Sequence, residues 1–94
     1  MSRVEVAAAA MGDGWDCAVT VRNGGETHHR VFVTRSDLAR LAPDAIDPID
    51  IVRASFAFLL EHEPKESILP EFHLTDIGRY FPDYEREIGH RLSR

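Results

Sequence analysis

Five histidines, one cysteine and a run of carboxylates are the side chains of this 94-residue sequence whose types could do chemistry. His28 and His29 are neighbours in a stretch that alternates like a strand, so their imidazoles point to opposite faces and cannot share an ion. His62, His73 and His90 lack the three- or four-residue spacing that would set two of them on one helical face. No zinc-type pattern is present, so neither a metal nor a cofactor is expected. Cys17 could be a nucleophile only if folding brought a histidine to it. It sits mid-strand on the apolar side, where a cysteine behaves as a small inert hydrophobe. Glu61, Glu63, Glu66 and Glu71 crowd the segment EHEPKESILPE, and beside helix-ending prolines such a cluster reads as a solvated edge. Gly12-Asp13-Gly14 and Asn23-Gly24-Gly25 are not phosphate loops, because neither opens a helix or precedes a Lys-Ser/Thr pair. No catalytic residue is assigned, and a non-enzymatic role is expected.

The elements that would position these side chains begin with a meander. Val4, Val6, Ala8 and Ala10 alternate with Arg3 and Glu5; Trp15, Cys17, Val19 and Val21 alternate with Asp16, Thr20 and Arg22; His29, Val31 and Val33 alternate with Arg30, Phe32 and Thr34. Between them stand Gly12-Asp13-Gly14 and Asn23-Gly24-Gly25, the second read as a type I′ hairpin turn. The expectation is an α+β fold with three antiparallel strands at about 3–10, 15–22 and 27–34, each pair closed by a tight turn. Helices follow at about 35–42, 48–63 and 75–92. Thr34 caps the first, Asp47-Pro48 opens the second, and the third breaks or kinks at Pro82, with a break at Phe81 favoured. The intervening PKESILPEF reads as one tight helical turn with Ile68 and Leu69 in the core.

At roughly 100° per residue the helix at 48–63 carries two apolar faces. Ile49, Val52, Phe56, Leu59 and Leu60 form the stripe for the sheet, and Ile51, Ala54 and Phe58 lie nearly opposite. Either the C-terminal stripe of Ile77, Phe81, Tyr84 and Ile88 covers this second face, or a second copy or another protein does, which makes Ile51 and Phe58 candidate partner contacts. Phe32 is a third candidate: with Val31 and Val33 facing the core, it faces out beside Arg30 and could stack a base or anchor a protein.

Bulk properties set the frame. Hydrophobic residues are 44% and charged residues 29%, which is globular composition for a single domain spanning 1–94. The net charge is −5, with acidic excess in both halves, which speaks against non-specific nucleic-acid binding. A lone cysteine excludes an intramolecular disulfide. The alanine run at 7–10 follows Glu5 and alternating valines, so it reads as strand and not as a signal peptide. With no stretch long enough to span a bilayer, a cytoplasmic location and no membrane partner are expected. Arginine outnumbers the single Lys65 heavily, as in GC-rich bacterial genomes.

The segments SFAFLLEHEPKESIL at 55–69 and IGRYFPDYEREI at 77–88, behind a hairpin with a GDGW turn, resemble a family of uncharacterised bacterial proteins of about this length. The likeness covers most of the chain and implies no activity, cofactor or catalytic residue. In strand order alone the chain is also similar to small antitoxin domains that open with a three-stranded meander and a helix, which usually add a separate DNA-binding tail. The expected function is a small interaction or regulatory module working through a homodimer or a protein partner. Two alternatives stand beside it: an antitoxin-like regulator contacting a toxin or nucleic acid, and a small ligand-binding or enzymatic domain.

Overall fold

Period-2 alternation of small and β-branched residues builds three long strands: β1 (Arg3–Met11), β2 (Gly14–Arg22) and β3 (Glu26–Thr34). The computed structural model describes residues 2–92. The strands pair antiparallel in unbroken register, Arg3 opposite Arg22 through Met11 opposite Gly14, then Gly14 opposite Thr34 through Arg22 opposite Glu26. Gly12 lies at φ 55° and Asp13 outside the left-handed region, the pattern of a two-residue type II′ turn. Gly14 serves a different need, because a Cβ there would run into the Val33 carbonyl. The second turn departs from the expected type I′. Arg22 pairs with Glu26, so Asn23, Gly24 and Gly25 form a three-residue loop, with the two glycines at φ 72° and 149°. The Lys65 ammonium donates to the Asn23 carbonyl at 3.1 Å and ties this loop to the segment after the second helix.

That segment holds the main departure from expectation. The expected tight helical turn is present as a 3₁₀ turn at Lys65–Ser67, but the chain then adds a fourth strand, β4 (Glu71–His73), parallel to β3. Arg30 N–H donates to Pro70 O at 2.8 Å, so β4 satisfies backbone groups that β3 would otherwise leave bare. The sheet order is β1-β2-β3-β4. Ile68 is buried as expected, but Leu69 is 50% exposed, because extended backbone at Ile68 turns successive side chains to opposite sides.

The helices are α1 (Arg35–Leu41), α2 (Ile49–His62), α3 (Ile77–Tyr80) and α4 (Tyr84–Leu92). Thr34 Oγ1 accepts the Asp37 N–H at 3.0 Å and Asp47 Oδ1 accepts the Ile49 N–H at 2.9 Å, starting α1 and α2. The expected last helix is two helices, since Phe81 before Pro82 is extended. Both apolar faces of α2 are covered from within the chain. Phe56 meets His29 of β3 and Phe72 of β4 at centroid distances of 5.3 and 6.0 Å. Opposite it, Phe58 meets Phe81 and Tyr84 at 5.6 and 5.7 Å. Between α2 and α4, Ser55 donates its hydroxyl to Ile51 O at 2.6 Å and accepts the Tyr84 hydroxyl at 2.7 Å. The result is an α+β fold in which α2 lies between the sheet and α4, with no helix among the described residues over the other sheet face. Among the described residues no helix is long and apolar enough to cross a membrane.

Candidate binding groove

The late arrival of β4 opens a groove between the end of α2 and α3. Leu59 and Glu63 come from the end of α2 and its cap, Ser67 to Leu69 from the turn after Pro64, Phe72 from β4, and Asp76, Ile77, Tyr80 and Phe81 from the other wall. Its volume is about 270 Å³. The short α3 shapes the lip: Ile77 points down into the core, and Tyr80, one turn on, stays 70% exposed. Leu69 and Tyr80 are two of only four large apolar side chains left exposed among the described residues. Such side chains gathered at one lip, above an apolar floor, form the kind of surface that soluble proteins reserve for binding.

The charged groups of the groove are acidic. Glu63 is half-buried and, among the described residues, has no ion-pair partner. Asp76 accepts the His73 backbone N–H at 3.1 Å and lies 3.7 Å from Arg79, which fixes its carboxylate at the rim. Phe81 separates this groove from a second hollow of about 300 Å³ lined by Phe58, Glu61, His62, Phe81, Pro82, Asp83 and Glu87. There Glu61 is held by Arg91 at 2.7 Å, and that hydrogen bond keeps the Glu61 carboxyl below the usual carboxylate range. Three carboxylates line the second hollow, and the first is the more apolar of the two.

The residues singled out from sequence lie elsewhere. Ile51 and Phe58 are 1% and 3% exposed, so the candidate partner contacts on α2 offer no surface; Phe81 and Tyr84 of α4 pack on Phe58. Phe32 does lie on the helix-free sheet face, but it is half-buried against His73 at 5.5 Å, and neighbouring Arg30 is ion-paired to Asp16. Histidines scatter: His29 is buried, with Nδ1–H donating to Leu69 O at 2.8 Å, while His28 meets Glu26 on the outer face and His62 stacks on Phe81. Among the described residues no group of histidine, cysteine and carboxylate side chains converges to hold a metal ion. Cys17 is fully buried on the core face, and burial, with Asp47 nearby, pushes its thiol up to about 11. Burial likewise raises Tyr84 well above an ordinary phenol, so neither group is poised to lose a proton near neutrality.

Sequence reasoning placed Leu69 in the core and gave Tyr80 no role. The available signals were Pro70 directly after Leu69, and Tyr80 falling off the stripe of Ile77, Phe81, Tyr84 and Ile88. No family model matches the chain, and neither a curated protein nor a solved structure matches it. The resemblance carried by residues 55–69 and 77–88 therefore transfers no function onto these side chains.

Proposed function

We propose that this chain is a small non-enzymatic interaction module that takes a short apolar and basic segment of a partner protein into the groove between α2, β4 and α3. The observation that carries the reading is the pairing of exposed Leu69 and Tyr80 over an apolar floor with the carboxylates of Glu63 and Asp76 at the rim. A volume of about 270 Å³ lies below the range of about 300–1,000 Å³ usual for cofactor and drug-sized ligands, and it suits one or two protruding side chains. The apolar walls would bury an aromatic or branched aliphatic residue, and Glu63 would meet an adjacent Lys or Arg. Nothing near the groove resembles an activated nucleophile or an acid–base pair, so the reading rests on recognition alone.

The test is selection of a random-peptide display library against the folded chain. Enriched peptides should place a large apolar residue next to Lys or Arg, and Tyr80→Ala or Leu69→Ser should weaken them at least about tenfold, the loss expected for an interface anchor. Glu63→Gln should flatten the salt dependence of binding. Absence of enrichment, or enriched peptides that bind Tyr80→Ala and Leu69→Ser as well as wild type, would refute the reading.

A further inference from the structure

We propose that the free edge of β1 pairs antiparallel with β1 of a second copy, joining two sheets into one across a two-fold axis at Ala7. The two-residue turn closes on the pair Met11 and Gly14, so Met11, Ala9, Ala7, Glu5 and Arg3 direct their N–H and C=O groups at β2. The same alternation aims Arg30 N–H away from β2 and at Pro70, where a 2.8 Å bond is found. Val4, Val6, Ala8 and Ala10 must therefore present their backbone groups to the open side. Among the described residues, no backbone bond outside the sheet reaches β1.

Proteins usually blunt such an edge with proline, lysine, a bulge or a very short strand. β1 has none of these: it is nine residues long, in unbroken register, and uncharged from Val6 to Met11. Its core-facing Val4, Val6 and Ala8 are only half-buried although they pack on the core, because the sheet stops beside them. An added strand would complete their cover, and only a strand can satisfy a row of backbone donors and acceptors.

Self-complementarity identifies that strand as a second copy of β1. With the axis at Ala7, Val4 faces Ala10 and Val6 faces Ala8, so every outward backbone group of the four finds a partner. Glu5 faces Ala9, and the small residues Ala7 and Ala9 leave no steric conflict on the other face. Arg3 falls opposite Met11 and diagonal to Asp13 of the second copy. Among the described residues Arg3 and Asp13 both lack an ion-pair partner, so the register supplies each with one at both ends of the ladder. Moving the axis to Val6 loses this charge match and sets Ala10 opposite Ser2, outside the strand. Moving it to Glu5 sets two like carboxylates face to face.

Sedimentation analysis over about a hundredfold dilution tests the pairing by mass action. The wild-type chain should sediment at twice its mass when concentrated and dissociate on dilution. Ala8→Pro removes an outward N–H without touching the bonds to β2, and should be monomeric with an unchanged circular dichroism spectrum. Arg3→Asp should weaken the dimer about tenfold, and Arg3→Asp/Asp13→Arg should restore it. Amide exchange of Val6 and Ala8 in the wild type gives a readout that needs no variant: it should slow as concentration rises. A chain that stays monomeric, with Val6 and Ala8 exchanging at one rate at every concentration, would overturn the proposal. So would a dimer that survives both Ala8→Pro and Arg3→Asp unchanged.

Discussion

Replacing Phe58 by alanine removes a ring that is 3% exposed and enclosed by His62, Phe81 and Tyr84 at centroid distances of 4.7, 5.6 and 5.7 Å. Truncating a buried phenylalanine costs about 3–5 kcal/mol, more where the surroundings cannot collapse. Phe58 also borders the hollow beside Glu61, Asp83 and Glu87, so Phe81 or water can move into the vacated space. The cost should fall at the low end, about 3 kcal/mol. Phe56 gives the internal standard: it is fully buried between His29 and Phe72 and lines neither hollow, so Phe56→Ala should cost about 5 kcal/mol. Against a total of about 5–15 kcal/mol, the Phe58 loss should lower the melting temperature by about 12 °C or more. Urea titration and thermal melts followed by circular dichroism would read both variants. Each should be run at two protein concentrations, because a loss confined to the interior keeps the same gap from wild type at both. A cost below about 1 kcal/mol for Phe58→Ala, or one larger than that of Phe56→Ala, would refute the packing of α2 between sheet and α4.

The buried Ser55–Tyr84 pair is asymmetric, since Ser55 already donates to Ile51. Ser55→Ala strands the Tyr84 hydroxyl and should cost about 1–3 kcal/mol, whereas Tyr84→Phe only removes a donor and should cost about 0.5–1.5 kcal/mol by urea titration. The Cys17 thiol, raised from 9.0 to about 11 in the fold, keeps its proton where the unfolded thiol has lost it. Stability should therefore decline as pH rises from about 9 to 11, and Cys17→Ala should flatten that decline in melts taken across the range. Gly14→Ala drives a Cβ into the Val33 carbonyl and should cost about 1–3 kcal/mol. Gly78→Ala meets nothing within 4 Å in α3 and should be neutral or stabilise by up to about 1 kcal/mol in the same assay.

Alternation and turn chemistry made β1 to β3 legible, because a half-buried antiparallel strand repeats every second residue and Gly-rich turns punctuate it. The two faces of α2 were equally plain, and the cover over Phe58 followed from the need to bury Ile77, Tyr84 and Ile88 somewhere. β4 was hidden for a physical reason. Three residues carry no period, and Glu71–His73 is a strand only because β3 leaves Arg30 and its neighbours unpaired on that side. The groove beside that short strand was hidden with it. The groove exists because β4 and the turn before it hold Leu69 outward across from Tyr80, a pairing of residues eleven apart on irregular backbone. Charge told less than it suggested, since many arginines, Arg22, Arg30, Arg40 and Arg91 among them, are engaged by carboxylates on neighbouring elements.

The two proposed surfaces sit at opposite edges of one sheet. β4 borders the groove, β1 is the other end of the strand order, and the two strands between them share no residue with either surface. A dimer through β1 would therefore leave both grooves open, one on each flank of the joined sheet. The acidic excess of −5 per chain doubles in the pair and raises the encounter rate with a basic partner at low salt. A partner displaying two apolar and basic segments would then bind the dimer with avidity set by the spacing of its segments, while a single peptide would bind each groove independently. Ala8→Pro separates these effects. It should leave the affinity for one groove-binding peptide unchanged and reduce binding of a tandem peptide to the level of the single one. Pairing at β1 would in this way act as the regulator of recognition at β4 without any contact between the two edges.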